Sequence, residues 1–248
     1  MGAGYTDATY GDRIADVYDD RYLGSFERDT VDAVAFLRSL AGEGPVLELG
    51  IGTGRVALPL SAEGVDVHGI DASEAMVAKL RGKPGGDRIH VTVGSFAEFS
   101  LPTEFPLVYV VFNTFFGLLT QDQQVTCFGS VERHLEPGGA FVMQAFVPDL
   151  SRFDAHNQRV AAESIGVDEV SLETSTHDPF EQRTNSQHVV IRDGSVRLYP
   201  VRIRYAHVSE LDLMARIAGL RLRERWAGWD RAPYPAWQHV SVWERPAT

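Results

Sequence analysis

A chain of 248 residues, 44% of them hydrophobic, is long enough to bury the core of one α/β domain and need not divide into two. Its formal net charge of −11 and isoelectric point near 5.1 leave no basic field to gather phosphate backbones, which argues against nucleic acid as a substrate. A single cysteine, Cys127, excludes an internal disulfide. The start Met1-Gly2-Ala3-Gly4 lacks an export signal and no run of about 18 apolar residues occurs, so the chain reads as soluble and cytoplasmic, with no membrane partner.

Four tyrosines, Tyr5, Tyr10, Tyr18 and Tyr22, stand in a polar, acid-rich opening stretch; Tyr18 and Tyr22 share a face if it is helical. Val31, Val34, Leu37 and Leu40 follow helical spacing, and Gly42-Glu43-Gly44-Pro45 stops that helix. Val46-Leu47-Glu48-Leu49-Gly50-Ile51-Gly52-Thr53-Gly54 then reads as a buried parallel strand breaking into a tight turn. Glycines there admit positive φ and let a ligand approach the peptide groups. A helix from Arg55 to Glu63 follows, and Pro59 inside it implies a kink or a short helix. The second strand, Val65 to Ile70, ends at Asp71. An acidic residue about 20 positions beyond a glycine turn is placed to accept both hydroxyls of a ribose, the alternative being an N-cap for the helix from Ser73.

Ile89, Val91 and Val93 alternate as a third strand closing at Gly94-Ser95-Phe96. Leu107 to Phe112 is apolar throughout, as a strand buried on both faces is, and delivers Asn113-Thr114-Phe115-Phe116-Gly117 to the ligand-binding edge. Thr120-Gln121-Asp122-Gln123 makes a capping box for a helix with Val125, Phe128, Val131 and Leu135, on which Cys127 reads as a small buried residue. Glu136-Pro137-Gly138-Gly139 turns the chain into a fifth strand, Ala140 to Phe146. Beyond Pro148, Val170-Ser171-Leu172-Glu173-Thr174 alternates with period two, and two further runs flank Asp193-Gly194, a hairpin signal. Ser209-Glu210-Leu211-Asp212 caps a last helix closed by Gly219, and Arg221 to Trp226 and Val240 to Glu244 supply two final strands.

The glycine spacing narrows the ligand. A dinucleotide fingerprint would place its third glycine at Arg55, and no Gly-Lys-Ser/Thr follows, so neither a nicotinamide dinucleotide turn nor a P-loop is formed. The nonapeptide resembles motif I of the class I S-adenosylmethionine-dependent methyltransferases, where an acidic residue precedes Gly-x-Gly-x-Gly. That resemblance implies an α/β fold: a Rossmann-like, seven-stranded sheet with an antiparallel cap insert, here about residues 165–207, in a single domain over residues 1–248. It implies S-adenosyl-L-methionine as cofactor, converted to S-adenosyl-L-homocysteine. In the family, residues in the places of Gly50, Gly52 and Gly54 accommodate the methionyl part, and that of Glu48 lies near its amino group. Asp71-Ala72-Ser73-Glu74-Ala75-Met76 resembles the next family motif, with Met76 against the adenine or else in the core. Ser95 stands where the family commonly carries an acidic residue for the adenine amino group; a hydroxyl or backbone group of Ser95-Phe96 would have to serve.

Phe112-Asn113-Thr114-Phe115-Phe116-Gly117-Leu118-Leu119 looks like the segment after the fourth strand in bacterial methyltransferases of small natural-product scaffolds, including amino-sugar and lincosamide N-methyltransferases. Leu135-Glu136-Pro137-Gly138-Gly139 is a second likeness. The implied cofactor contacts include Phe112 and Asn113. Phe115 and Phe116 are then expected to line the substrate pocket, with core packing as the alternative. Tyr10-Gly11-Asp12 and Val17-Tyr18-Asp19 resemble the tyrosine-bearing lid of small-molecule methyltransferases, here residues 1–25, against a plain helix whose aromatics cover the core.

Methyl transfer from a sulfonium is an in-line displacement that needs a positioned nucleophile and no covalent enzyme intermediate. The expected activity is N-methylation of a small secondary metabolite, with Tyr10, Tyr18 and Phe115 catalytic and Tyr10, Phe115, Phe116 and His177 against the substrate. O-methylation with a histidine or tyrosine base is the alternative, and His177, in the cap region, is its candidate base. A non-catalytic S-adenosylmethionine-binding or NAD-binding Rossmann protein is the reading from another class, and an NAD-dependent oxidoreductase stays open but is disfavoured by the glycine spacing. None of the eight histidines has metal-ligand spacing, and a homo-oligomer is compatible with the chain.

Overall fold

The computed structural model describes residues 4–22, 24 and 26–247. The run Val46-Leu47-Glu48-Leu49 forms β1 (Val46–Leu49), buried at every position because it lies mid-sheet between two helical layers. β2 (Val67–Asp71) pairs with it in parallel on one side and β4 (Phe105–Val110) on the other; β3 (His90–Val93) extends the sheet beyond β2. On the far side β5 (Leu135–Phe146) is parallel to β4, and β11 (Gln238–Glu244) and β10 (Arg221–Trp226) add antiparallel. The seven strands lie in the order β10-β11-β5-β4-β1-β2-β3, a Rossmann-like, mostly parallel sheet.

Two apolar layers sandwich it. On one face α6 (Gln121–His134) and α7 (Val208–Ile217) bury Phe128, Val131, Leu211 and Met214 against Phe141 and Trp243. On the other, α3 (Glu27–Arg38), α4 (Ala57–Ala62) and α5 (Glu74–Arg81) bury Leu37, Leu60 and Leu80 against Val46 and Tyr109. Cys127 is fully buried on α6, and burial pushes its thiol pKa far up. No described helix is long and apolar enough to cross a membrane.

Between β5 and α7 a separate four-stranded antiparallel sheet stands apart: β6 (Gln158–Ile165), β7 (Glu169–Asp178), β8 (Arg183–Arg192) and β9 (Ser195–Arg204), in that order. It begins earlier than the expected insert, because β6 is exposed at most positions and carries little apolar alternation. Two short helices, α1 (Thr9–Ile14) and α2 (Tyr18–Tyr22), cross the open end of the molecule; residues 1–3, Leu23 and Ser25 of the expected lid lie outside the described residues, as does the very start read for an export signal.

At Pro59 the helix is short rather than kinked: α4 spans six residues from Ala57 and places Pro59 in the first turn, whose N–H groups have no intrahelical partner. Two other local expectations are corrected. The fourth strand stops at Val110 rather than Phe112, since Phe112 and Asn113 both take left-handed backbone conformations, φ 57° and 64°. The box at Ser209 does not cap α7. The helix starts one residue earlier, and Asp212 pairs instead with Arg225 at 2.7 Å and accepts from Trp243 Nε1 at 3.0 Å.

Candidate active site

At the carboxyl ends of β1, β2 and β3 the chain surrounds a cavity of about 710 Å³ that continues to the inner face of the four-stranded sheet. The glycine turn forms its base. Gly50, Gly52 and Gly54 have φ of 71°, 56° and 81°, where a side chain is strained. A Cβ on Gly50 would meet Thr114 Cγ2 at 2.2 Å, whereas one on Gly52 would meet nothing within 4 Å. Gly52 is thus a cradle of open space on the cavity wall. Gly54 lies behind the wall, against Leu58 and Leu80, and serves the turn itself.

Asp71 closes β2 and ties this base together. One carboxylate oxygen accepts from Gly52 N–H at 2.7 Å and the other from Ser73 N–H at 2.8 Å. Each oxygen keeps a lone pair, and the carboxylate lines the cavity. Burial raises its pKa despite both amides. Ser73 is also the N-cap of α5, accepting from Met76 N–H, so the N-cap at this turn lies two residues beyond Asp71 and is not Asp71. Ala72, Met76, Ser95 and Phe96 complete this end, a glycine and carboxylate cradle with an apolar wall that suits a nucleoside and an amino-acid tail.

Phe112 and Asn113 reach the cavity through their left-handed turn, which Gln144 stabilises. Phe112 N–H donates to Gln144 Oε1 at 3.0 Å, Asn113 N–H to the Gln144 carbonyl at 3.2 Å, and Asn113 Oδ1 accepts from Phe146 N–H at 2.7 Å. The Phe112 ring meets Phe26 edge-on at 4.4 Å. Glu48 does not reach the cavity. It is buried behind the turn, accepts from the Tyr109 hydroxyl at 3.0 Å, and burial pushes its pKa up to about 8.

Tyr10 and Tyr18 line the cavity from α1 and α2, joined by Tyr5 and Tyr22. Burial raises the Tyr10 pKa well above the phenol range and pushes that of Tyr18 up to about 12, so both stay neutral phenols at physiological pH. The acidic residues between them hold the segment down. Asp7 accepts from the Ser95 hydroxyl at 2.7 Å, Asp12 from Ser73 at 2.6 Å, and Asp19 from Thr53 at 2.7 Å while pairing with Lys83 at 2.6 Å.

Phe115 and Phe116 are not in the wall. Both are fully buried, Phe115 edge-on to Phe128 at 5.4 Å and Phe116 to Phe146 at 5.0 Å. The short 3-10 turn Thr114–Gly117 rolls their side chains under the sheet's own helical layer and leaves Thr114, Gly117 and Leu118 to face the cavity. The core alternative is therefore the one observed. His177 is likewise set back. Its Nε2 meets the Tyr205 hydroxyl at 2.9 Å and its ring stacks on Phe153 at 4.7 Å, so Phe153 and Tyr205 line the cavity in front of it.

Groups that spacing did not single out occupy the cap end. Arg159, Glu163, Glu173 and His188 point inward from β6, β7 and β8. Glu163 accepts from His188 Nδ1 and from Arg21 of α2, both at 2.7 Å; Glu173 is bonded to Arg159 and to Ser175. The signal was present in the strand alternation, since Glu173 and His188 each neighbour an apolar residue of opposite parity, Leu172 and Val189. Among the described residues, Asp66, His68 and His90 bring ligating atoms within 4.8 Å of one another, but at the amino ends of β2 and β3, away from the cavity.

Known proteins resemble this chain in sequence and fold. A family model described as a methyltransferase domain matches residues 46–139, which contain the glycine turn, Asp71 and the fourth strand. The structure of the CcbJ methyltransferase from Streptomyces caelestis is 42% identical, covers 98% of this chain and 100% of its own, and superposes with a TM-score of 0.91. The cypemycin N-terminal methyltransferase of a Streptomyces species is 28% identical over 191 residues, 77% of this chain and 78% of that protein. CalS10, an amino pentose methyltransferase of Micromonospora echinaspora solved with S-adenosylmethionine bound, shares the fold at 20% identity and a TM-score of 0.71, covering 99% of each chain. A glycine turn tied to the carboxylate that ends the second strand, in a seven-stranded sheet matched end to end by such a relative, places this chain in the S-adenosylmethionine-dependent methyltransferases.

Proposed function

We propose that the chain methylates an amine of a small natural-product scaffold by direct in-line transfer, in one domain with residues 4–22 as lid and β6–β9 as cap. The observation that carries this reading is the continuity of the cavity: one space joins the glycine cradle to a charged cap wall and is lined by Tyr10, Tyr18 and Tyr22. S-adenosylmethionine brings the methyl group as a sulfonium, whose departure as a neutral thioether makes covalent help from the protein unnecessary. Gly50, Gly52, Asp71, Met76 and Phe96 would hold it, and Phe112 and Asn113 would close its flank. The work left to the protein is positioning, which can supply roughly 7 to 11 kcal/mol of barrier lowering.

An amine must arrive with a free lone pair. The aromatic wall desolvates it, which favours the neutral form. Two of the relatives above are named for an N-terminal amine and an amino pentose, which supports the same acceptor class. The test is incubation with methyl-labelled cofactor and paired scaffolds that differ only in bearing a secondary amine or a hydroxyl. N-methyl product from the amine series is expected; turnover confined to the hydroxyl series would refute the proposal.

One observation favours a second reading, O-methylation with a base. His188 lines the cavity with Glu163 on its Nδ1, the arrangement that orients an imidazole for proton abstraction. His188, not His177, is the side chain to substitute: turnover of a hydroxyl substrate should then fall while that of an amine stays unchanged.

A further inference from the structure

At the amino ends of β2 and β3, opposite the cavity, three ligating side chains meet. The two strands run in parallel with His68 directly beside His90, so both imidazoles project from one face of the sheet. Asp66 stands two positions before His68 and returns to that face. One ligating atom from each of the three lies within 4.8 Å of the others. The two rings are 4.9 Å apart, and Phe105 meets His68 edge-on at 5.6 Å. Asp66 Oδ2 is 3.6 Å from His68 Nε2, wider than a hydrogen bond. That separation is close to the spacing of two ligands on one ion: at about 2.1 Å from a tetrahedral centre, ligands stand about 3.4 Å from each other. Among the described residues, neither imidazole makes a hydrogen bond that the ion would have to break.

We infer that Asp66, His68 and His90 bind a divalent cation of the zinc class, with water in the remaining position. The donor set selects the class. Two imidazole nitrogens and one carboxylate oxygen suit zinc, copper, nickel or cobalt, whereas magnesium and calcium call for oxygen ligands. Access is direct, since the Asp66 side chain is 59% exposed, while His68, at 25%, is steadied by its neighbours. The net charge of −11 draws cations toward the surface. The site is a staple and not a catalyst. β3 is an edge strand, paired only with β2, and an ion shared by His68 and His90 ties the two together and closes the loop that carries α5. Along β2, about 10 Å separate His68 from Asp71, so the cation and the cofactor do not meet. Spacing along the chain conceals this group, because strand pairing and not sequence proximity brings His90 to the other two.

Calorimetric titration of the full, untagged chain with zinc chloride at neutral pH tests this. Wild type should take up one ion per chain, and excess magnesium should not displace it. His90→Ala should weaken zinc binding at least about tenfold, since a lost ligand costs no less than the roughly 10- to 100-fold lost with an outer-shell partner. Zinc should also raise the Tm of wild type and leave that of His90→Ala unchanged. Heat of S-adenosylhomocysteine binding, retained in the variant, shows that it is folded. Should His90→Ala lose that binding, Asp66→Asn, at an exposed carboxylate, takes its place with the same expectation. His188→Ala, which removes the imidazole beside Glu163 in the cavity, should leave zinc affinity unchanged. No uptake by wild type at millimolar zinc, displacement by magnesium, undiminished zinc affinity in the folded variant, or loss of that affinity in His188→Ala overturns the inference.

Discussion

Asp71→Asn separates two jobs of one carboxylate. Both oxygens accept backbone N–H groups, from Gly52 at 2.7 Å and Ser73 at 2.8 Å, so the amide cannot satisfy both: whichever way it turns, its NH₂ faces a donor. Hydrogen bonds to a charged group contribute roughly 1.5–3 kcal/mol each. Burial already raises the Asp71 pKa, and a neutral amide recovers part of that desolvation cost, which puts the net loss near 2 kcal/mol. For a chain of this size that is a fall in Tm of about 4–8 °C without any ligand. If Asp71 accepts the ribose as proposed, its loss adds a drop in S-adenosylhomocysteine affinity of about 10- to 100-fold, of the order of one to two charged hydrogen bonds. Thermal unfolding of the apoprotein reads the first effect and calorimetry the second. An unchanged apoprotein Tm would refute the carboxylate's hold on the glycine turn; an unchanged affinity would refute its place at the ribose.

Glu48→Gln should change the pH dependence of stability. The Glu48 carboxyl is raised from 4.5 to about 8 by burial, so folding binds a proton: the stabilisation is complete below pH 4.5, declines as pH rises toward 8 and is gone above it. Glutamine still accepts from Tyr109 and has no such proton, so urea unfolding should show the variant gaining on wild type by up to about 1.4 kcal/mol per pH unit across that window; parallel curves would contradict the burial argument. Phe115→Ala should cost about 3–5 kcal/mol of unfolding free energy while leaving S-adenosylhomocysteine affinity within a few-fold, since the ring lies in the core. Asp19→Asn breaks the half-buried ion pair with Lys83 and weakens the bond from Thr53, and stopped-flow displacement should show S-adenosylhomocysteine leaving about 5- to 10-fold faster, as expected for a loss near 1 kcal/mol. An unchanged release rate would mean that the segment does not retain the cofactor.

The cofactor end was legible because its signals are local in the chain. Three alternate glycines are needed wherever a strand must turn at positive φ under a ligand, and Asp71 follows at the end of the neighbouring parallel strand, so both appear as spacing. The substrate end was not, for two different reasons. Phe115 and Phe116 follow an apolar strand and precede a helix, and only the left-handed pair Phe112 and Asn113 decides that the chain rolls them beneath the sheet; neither is a glycine, so no residue type announces the turn. In the cap, alternation told correctly that Leu172 and Glu173 face opposite ways, but not which way is in. The cavity face there mixes Glu173 and His188 with Val201 and Ile203, so polarity alone does not mark the inner side.

The acid-rich opening stretch, which offers no continuous apolar face, acquires a reason in the same way. A segment that covered a finished core would carry leucine and valine; one that must sit on three ligand-binding loops meets hydroxyls and a lysine. Asp7, Asp12 and Asp19 engage Ser95 after β3, Ser73 after β2 and Thr53 after β1 in turn, and Arg21 continues to Glu163 on the cap. Each of those loops also contributes to the cofactor end of the cavity, so the lid and the cofactor share supports. If the segment is the lid proposed above, ordering either one would prepay part of the conformational entropy of the other and so couple cofactor retention to the order of the segment.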